Sequence, residues 1–486
     1  MLDIVFINPG DRKVVFQDLG KELTAIEPPF QIASYASFLR NEGFGVAIID
    51  ANALNISPEE TAQRVKELNP LLSAVIVYGN QPSASTQNMT ISGRIITELK
   101  KATRSKVVIS GLHPSALPER TLREEDADFV IEGEEQIPLK ELLESLKGER
   151  DYSKVSGLWY RESNQVKHNP KPKLIDDLDT YLPIAAWDLL PMEKYRAHNW
   201  HCFDDIQNRM PYGAIYTSLG CPYKCTFCCI NAPFGGSSIR YRTPALVVAE
   251  IELLNKKYGI KNIKIIDEMF VLDERHYMKI VDLLIEKDLN LNIWAYARVD
   301  TVHERTLAKM RQAGFAWLAL GIESANADVR DGASKKMRVQ DIQGIVHKIQ
   351  EAGIRVIANY IFGLPDDTQE SMQETLDMAK ELNCEFANFY CAMAYPGSQL
   401  YNIALKEGWK LPDSWTGYSQ HSYNIQPLPS KTLSAKEIVA FRDNAFHEYN
   451  ENEKYLHMLE EKFGKEVRAH MQEITQTRLK RAILEN

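Results

Sequence analysis

The chain has 486 residues, 44% of them hydrophobic and 25% charged, enough for two or three domains with real cores. Lys+Arg 57 against Asp+Glu 66 leave a formal charge of −9, which excludes the concentrated positive surface of a sequence-independent nucleic-acid binder. No apolar run approaches the ~20 residues of a membrane span, the opening nine residues lack a signal-peptide pattern, and seven cysteines are too few for a disulfide framework. A cytoplasmic protein without a transmembrane segment is the expectation.

Short apolar segments at 2–8, 45–50, 73–78, 107–110 and 128–132 read as strands, and amphipathic patterns at 32–41, 57–68 and 91–101 read as helices between them. This alternation predicts an α/β doubly wound parallel sheet over 1–150, with ligands at the carboxyl ends of its strands. The polar loops at 8–10, 79–86, 111–114 and 133–136 fall at those ends. From 151 to 208 the rhythm breaks, predicting a linker with a small hairpin at 157–166. A second α/β run over 209–400 carries six strands, at 214–218, 263–267, 291–297, 317–323, 355–361 and 386–392. Helical patterns at 244–257, 274–287, 304–312, 338–351 and 369–381 separate them. Repeated βα units of this length predict a partial (β/α)6 barrel whose active site gathers at its C-terminal strand ends. From 401 to 486 the chain is charged and helical, with periodic runs at 435–449 and 454–469.

The first strand of the second run leads into Gly220-Cys221-Pro222-Tyr223-Lys224-Cys225-Thr226-Phe227-Cys228. Three thiolates spaced C-x3-C-x2-C in a tight loop can converge on one inorganic cluster. A [4Fe–4S] cube has four corners, so three protein ligands leave one iron open, whereas zinc ordinarily takes four ligands. Cys229 follows directly on Cys228, and a side chain so placed points away from it. Cys202, Cys384 and Cys391 stand apart and read as small buried hydrophobes or residues without an assignable mechanism.

The spacing, with aromatic Phe227 before the last cysteine, resembles the radical SAM superfamily. The resemblance implies that Cys221, Cys225 and Cys228 hold a [4Fe–4S] cluster whose open iron chelates S-adenosylmethionine (SAM). Reductive cleavage would then give a 5′-deoxyadenosyl radical. The other strand ends match over about 212–400. Asp267, in Asp267-Glu268, stands where the family places a polar group near the SAM amino nitrogen, with a helix-cap carboxylate as the alternative. Arg298, in Ala-Arg-Val-Asp, is a candidate for the SAM carboxylate, with an ion pair to Asp300 as the alternative. Glu323, in Gly-Ile-Glu-Ser, is implied to meet the ribose or amino group, unless it forms a structural buried pair. Gly363, in Phe-Gly-Leu-Pro, is implied to let backbone lie along the adenine, unless it serves only a strand-to-helix turn.

A radical SAM core preceded by a Rossmann-like domain resembles the cobalamin-binding subfamily. The matching segments are Asn8-Pro9-Gly10, the loop 81–86 with Ser83, Ser85 and Thr86, Ser110-Gly111-Leu112-His113-Pro114, and 128–134 with Glu132 and Gly133. In that subfamily these loops surround the corrin and its nucleotide tail. The D-x-H-x-x-G motif that supplies an axial histidine elsewhere is absent, and His113 in its Gly-Leu-His-Pro turn does not replace it. The resemblance implies a methyltransferase acting on a small-molecule substrate at an unactivated carbon, through a 5′-deoxyadenosyl radical and methylcobalamin. An electron donor such as flavodoxin or ferredoxin is implied. The alternatives are a cobalamin-binding cyclase or oxidoreductase without methyl transfer, and a non-catalytic corrinoid or iron–sulfur carrier.

Overall fold

Five short strands, Ile4–Asn8 (β1), Val46–Asp50 (β2), Leu72–Val77 (β3), Lys106–Gly111 (β4) and Phe129–Ile131 (β5), pair in parallel in the order β2-β1-β3-β4-β5. The computed structural model that shows them describes residues 2–17, 19, 24–79, 84–163 and 165–485. Side chains alternate across a strand, so both sheet faces need cover. Ile4, Phe6, Ala74, Ile76 and Val108 meet Tyr35, Leu39, Leu139 and Leu143 on one face. Val5, Ile7, Val75, Val77 and Ile109 meet Val65, Ile95 and Leu99 on the other. The helix Pro58–Leu68 starts at a capping box between Ser57 and Glu60, as its Ser-Pro-Glu-Glu opening implies.

The first sheet does not stop near 150. Leu158–Glu162 (β6) and Gln165–His168 (β7) add two antiparallel strands to the edge of β5. The hairpin assigned from sequence to a linker is therefore part of the first sheet. An open edge on three-residue β5 would expose unpaired backbone, and Leu158 and Tyr160 bring an apolar face that joins the core beside it.

The second sheet orders Phe386–Cys391 (β15), Arg355–Phe362 (β14), Phe315–Glu323 (β13), Asn292–Ala297 (β12), Asn262–Ile265 (β11) and Tyr212–Ile215 (β8) side by side, all parallel. Helices Pro244–Tyr258, Glu274–Lys287, Glu304–Gln312, Val339–Glu351 and Gln369–Leu382 connect them. This is a partial barrel, open between β15 and β8. A two-strand ladder, Ser218–Leu219 (β9) with Arg240–Tyr241 (β10), ties off the cysteine loop at its root.

The segment expected to be only a linker also floors the barrel. Trp200 packs edge-on against Trp294 and Trp317, 5.2 and 5.5 Å between centroids. From the C-terminal region, Phe463 stacks on Trp317. The run expected over 454–469 is two helices, Glu453–Phe463 and Lys465–Thr475, because Gly464 at φ +90° ends one and begins the next. No helix among the described residues is long and apolar enough to cross a membrane.

Candidate functional site

The cysteine loop is held from several sides. Gly220 has φ +91°, and a Cβ there would lie 2.4 Å from the Ser238 carbonyl oxygen, so a side chain is not accommodated just before Cys221. Asn231 donates to the Cys221 carbonyl at 3.1 Å, and the Thr226 carbonyl accepts from Leu400 N at 2.8 Å. Phe227 packs among Leu364, Ala392 and Val329. Burial pushes the Cys221 thiol up to about 11 and raises that of Cys225, so an electropositive centre is needed to favour their thiolates. No three His, Cys, Asp or Glu side chains among the described residues are gathered on one point fit for a single ion. A cube receives each thiolate at a different corner, and the three thiols of Cys221, Cys225 and Cys228 spaced along one loop fit that donor set.

A cavity of about 550 Å³ opens between the carboxyl edges of the two sheets. On the barrel side every second residue faces it: Lys264 and Ile266, then Trp294, Tyr296 and Arg298, then Ala319, Gly321 and Glu323. Ile357, Asn359 and Ile361 on β14 and Phe386, Asn388 and Tyr390 on β15 complete the wall, with Asn388 donating to Asn359 at 3.0 Å. On the other side stand Asn8, Pro9 and Gly10 after β1, and Tyr78 and Gly79 after β3. Cys228 opens onto the same space.

Glu323 is where the sequence led one to look, and its geometry is special. The β13/β14 register shifts between Gly321 and Glu323, and Glu323 has φ +67°. Its carboxylate pairs with Lys335, so the buried-pair alternative is real, yet both groups line the cavity. A Cβ at Gly321 would fall 2.5 Å from Lys335 Nζ and 2.6 Å from Glu323 Oε1, so the strand is thinned to make room for the pair. Arg298 is buried, lines the cavity and pairs bidentately with exposed Asp300, which is the ion pair weighed from sequence.

Two barrel expectations change. Asp267 does not line the cavity: its oxygens accept from Thr217 N, Thr217 Oγ1 and Ser218 Oγ at 2.5–2.6 Å, which locks the strand end that leads into the cysteines. Its neighbour Glu268 faces the cavity instead, with Oε2 finding no hydrogen-bond partner among the described residues and burial pushing the carboxyl up to about 8. Gly363 turns away from the cavity as well. At φ +78°, its missing Cβ would meet Ile438 Cδ1 at 2.7 Å, so the glycine accommodates a C-terminal helix, while Ile361 supplies the cavity wall.

The expected corrin contacts form a shell behind the cavity. Ser83 lies outside the described residues. Ser85 Oγ donates to the Val77 carbonyl and accepts from His113 N at 3.0 Å, and Thr86 Oγ1 meets His113 Nδ1 at 3.1 Å. His113 is buried against the edge of Trp415, 4.4 Å between centroids, and burial pushes it down to about 3. Its Nε2 has no partner among the described residues. Gly111, at φ +127°, leaves space for β3: a Cβ would lie 2.2 Å from the Val77 carbonyl oxygen. Glu132 accepts from Trp159 Nε1 at 2.7 Å and pairs with Lys171, a structural role at the hairpin. Gly133 N donates to Ser115 Oγ at 3.1 Å. None of these side chains borders the cavity, and the Ser85 and Thr86 hydroxyls are engaged with Val77 and His113.

Sequence reasoning missed Lys335, the turn of Glu268 into the cavity, and the buried pair between Lys264 on β11 and Glu27 in the first domain, at 3.0 and 3.1 Å. Lys264 left a signal, a charge between buried Ile263 and Ile265 in a strand. Gln420 and His421 of the C-terminal region also reach the cavity, and no pattern pointed to them.

A half-barrel whose cysteine loop brings Cys228 to a cavity shared with a doubly wound domain has room for two cofactors at one site. The B12 binding domain model matches residues 17–143 and the Radical SAM superfamily model residues 215–379. An uncharacterized methyltransferase, PH0819 of Pyrococcus horikoshii, is 30% identical over 421 residues, 86% of each chain. The anaerobic magnesium-protoporphyrin IX monomethyl ester cyclase of Rubrivivax gelatinosus is 25% identical over 82% of this chain and 69% of its own. The chain belongs to the cobalamin-binding radical SAM family, enzymes whose cofactors are a [4Fe–4S] cluster, SAM and cobalamin. Its fold is that of the radical SAM methyltransferase TsrM of Kitasatospora setae, solved with cobalamin and a [4Fe–4S] cluster: TM-score 0.71, 16% identity, covering 98% of this chain and all of that one.

Proposed function

We propose that the protein is a cobalamin-dependent radical SAM methyltransferase that alkylates an unactivated carbon of a small molecule. The observation that carries this reading is a cavity onto which both sheets open, with Asn8–Gly10 and Tyr78 on one side and Cys228, Arg298 and Glu323 on the other. Methyl transfer to a carbon radical needs both cofactors within reach of one substrate, and separate pockets would not serve it. The names of PH0819 and TsrM agree with the reading.

When bound, the cluster and SAM supply a hydrogen-abstracting 5′-deoxyadenosyl radical, and cobalamin supplies the methyl group. The chain's own residues position and exclude. Cys221, Cys225 and Cys228 hold the cluster, while Phe227 fills the loop behind it. Glu323 and Lys335 offer opposite charges in one place, suited to the amino and carboxylate groups of a methionyl moiety. Trp294, Tyr296, Ile357 and Phe386 line the lumen with apolar surface that keeps water from a radical. Electrons arrive from a flavodoxin or ferredoxin.

Anaerobic turnover of the reconstituted enzyme with a reductant tests the proposal by product analysis. S-Adenosylhomocysteine and 5′-deoxyadenosine appear together. Formation of 5′-deoxyadenosine alone would remove methyl transfer and favour cyclase or oxidoreductase chemistry.

A further inference from the structure

The orientation of Arg298 is fixed before any ligand arrives. Its Nε and Nη2 donate to Asp300 Oδ1 and Oδ2 at 2.9 and 3.0 Å. Its plane lies over Tyr223, with Cζ 3.9 Å from the ring centroid. Both clamps are local, since Asp300 is two residues on and Tyr223 belongs to the cysteine loop itself. With the fork engaged, Nη1 is directed at Cys225 Sγ, 3.9 Å away. The side chain is 7% exposed, so little water competes for that contact.

We propose that Arg298 is a positioning residue that sets the reduction potential of the cluster through Cys225, and that it does not bind the carboxylate of SAM. The assignment rests on the cluster and not on methyl transfer. Reduction adds one electron, from an external one-electron donor, to the iron–sulfur unit, and negative charge on its sulfurs grows. An N–H donor carrying a full positive charge stabilises that electron-rich state more than the oxidised one, so the potential rises. Asp300 holds the Nε–Nη2 edge and Nη1 is turned to Cys225, so a SAM carboxylate on the remaining Nη1–Nη2 edge would compete with Cys225 for Nη1. Lys335 on the neighbouring wall poses no such conflict, because an ammonium has three donors and Glu323 does not exhaust them.

The test uses the full chain, reconstituted anaerobically with iron and sulfide, and compares wild type with Arg298→Met and Arg298→Lys. A dithionite redox titration followed by UV–visible and EPR spectra reads the cluster potential, and equilibrium dialysis reads SAM affinity. Arg298→Met shifts the potential to a more negative value, Arg298→Lys shifts it less because the charge remains, and SAM affinity changes by less than about threefold, under 1 kcal/mol. An unmoved or more positive potential in Arg298→Met overturns the proposal. So does a fall in SAM affinity of about tenfold or more, the loss of a charged hydrogen bond, whatever the potential does. Should Arg298→Met retain no cluster, Arg298→Lys decides alone: it keeps the charge but cannot hold both Asp300 and Cys225 as the guanidinium does, a negative shift supports the assignment, and an unmoved or more positive potential overturns it. The potential is read without substrate or cobalamin, so failure here leaves the methyl-transfer reading standing.

Discussion

Burial governs the chemistry of individual side chains on both sides of the cavity, and Glu135 shows how. It accepts hydrogen bonds from Tyr35 at 2.8 Å, Tyr78 at 3.1 Å and Ser110 at 3.0 Å, yet desolvation outweighs them and pushes its carboxyl up to about 7. A folded-state value above the ordinary 4.5 means that the folded chain holds a proton the unfolded chain has released. Stability from this group is therefore present at pH 4.5 and is lost as pH rises through 7. Thermal unfolding of Glu135→Gln across that window should lack the corresponding fall, while wild type shows it. Tyr78 lies on the cavity wall, so the carboxylate also braces the first domain's side of the site. At this scale Cys221, Cys225 and Cys228 were legible because their spacing is covalent. Asp267 and Glu268 were not separable, because one residue of difference at a strand end decides which carboxylate faces the lumen and which faces Thr217.

Strands and helices set what those residues can reach. The six barrel strands and five connecting helices follow the apolar periodicity closely, since a buried parallel strand and an amphipathic helix leave strong patterns. The hairpin β6–β7 left a weak one, five and four residues with one polar face, and its pairing with β5 depends on an edge that sequence does not display. Gly363 shows the same limit: a glycine before Leu-Pro announces a turn but not its neighbour. Gly363→Ala should cost about 1–3 kcal/mol in urea unfolding, through a left-handed backbone and contact with Ile438. SAM affinity should stay unchanged in that variant, measured by equilibrium dialysis. Combining it with Ile438→Ala should relieve the contact and leave the backbone strain.

Across the whole molecule, one core cluster and one cavity draw residues from the first domain, the barrel and the C-terminal region. Glu27 enters the barrel from the first domain to meet Lys264, which also lies 4.9 Å from the Trp294 ring centroid. Burying two charges is costly, and burial raises the Glu27 carboxyl even with an ammonium beside it. Glu27→Gln should lower stability by about 3–5 kcal/mol, because Lys264 loses its carboxylate while still buried. The double variant Glu27→Gln with Lys264→Met should recover most of that in the same unfolding measurement. Trp415, far along the chain, packs on His113 and under Arg120 and so fastens the C-terminal region to the first domain.

What the sequence determined by itself were the properties written in neighbouring residues: the thiol spacing, the alternation of strand and helix, the caps, and the loops that must stand at carboxyl ends. Tertiary structure decided what depends on residues far apart in the chain. Glu27 and Lys264 are 237 positions apart, and the Gly363–Ile438 and His113–Trp415 contacts likewise join segments that no local pattern connects. Periodicity reports which face of an element is apolar, but the partner that face meets is fixed only when all the elements pack at once.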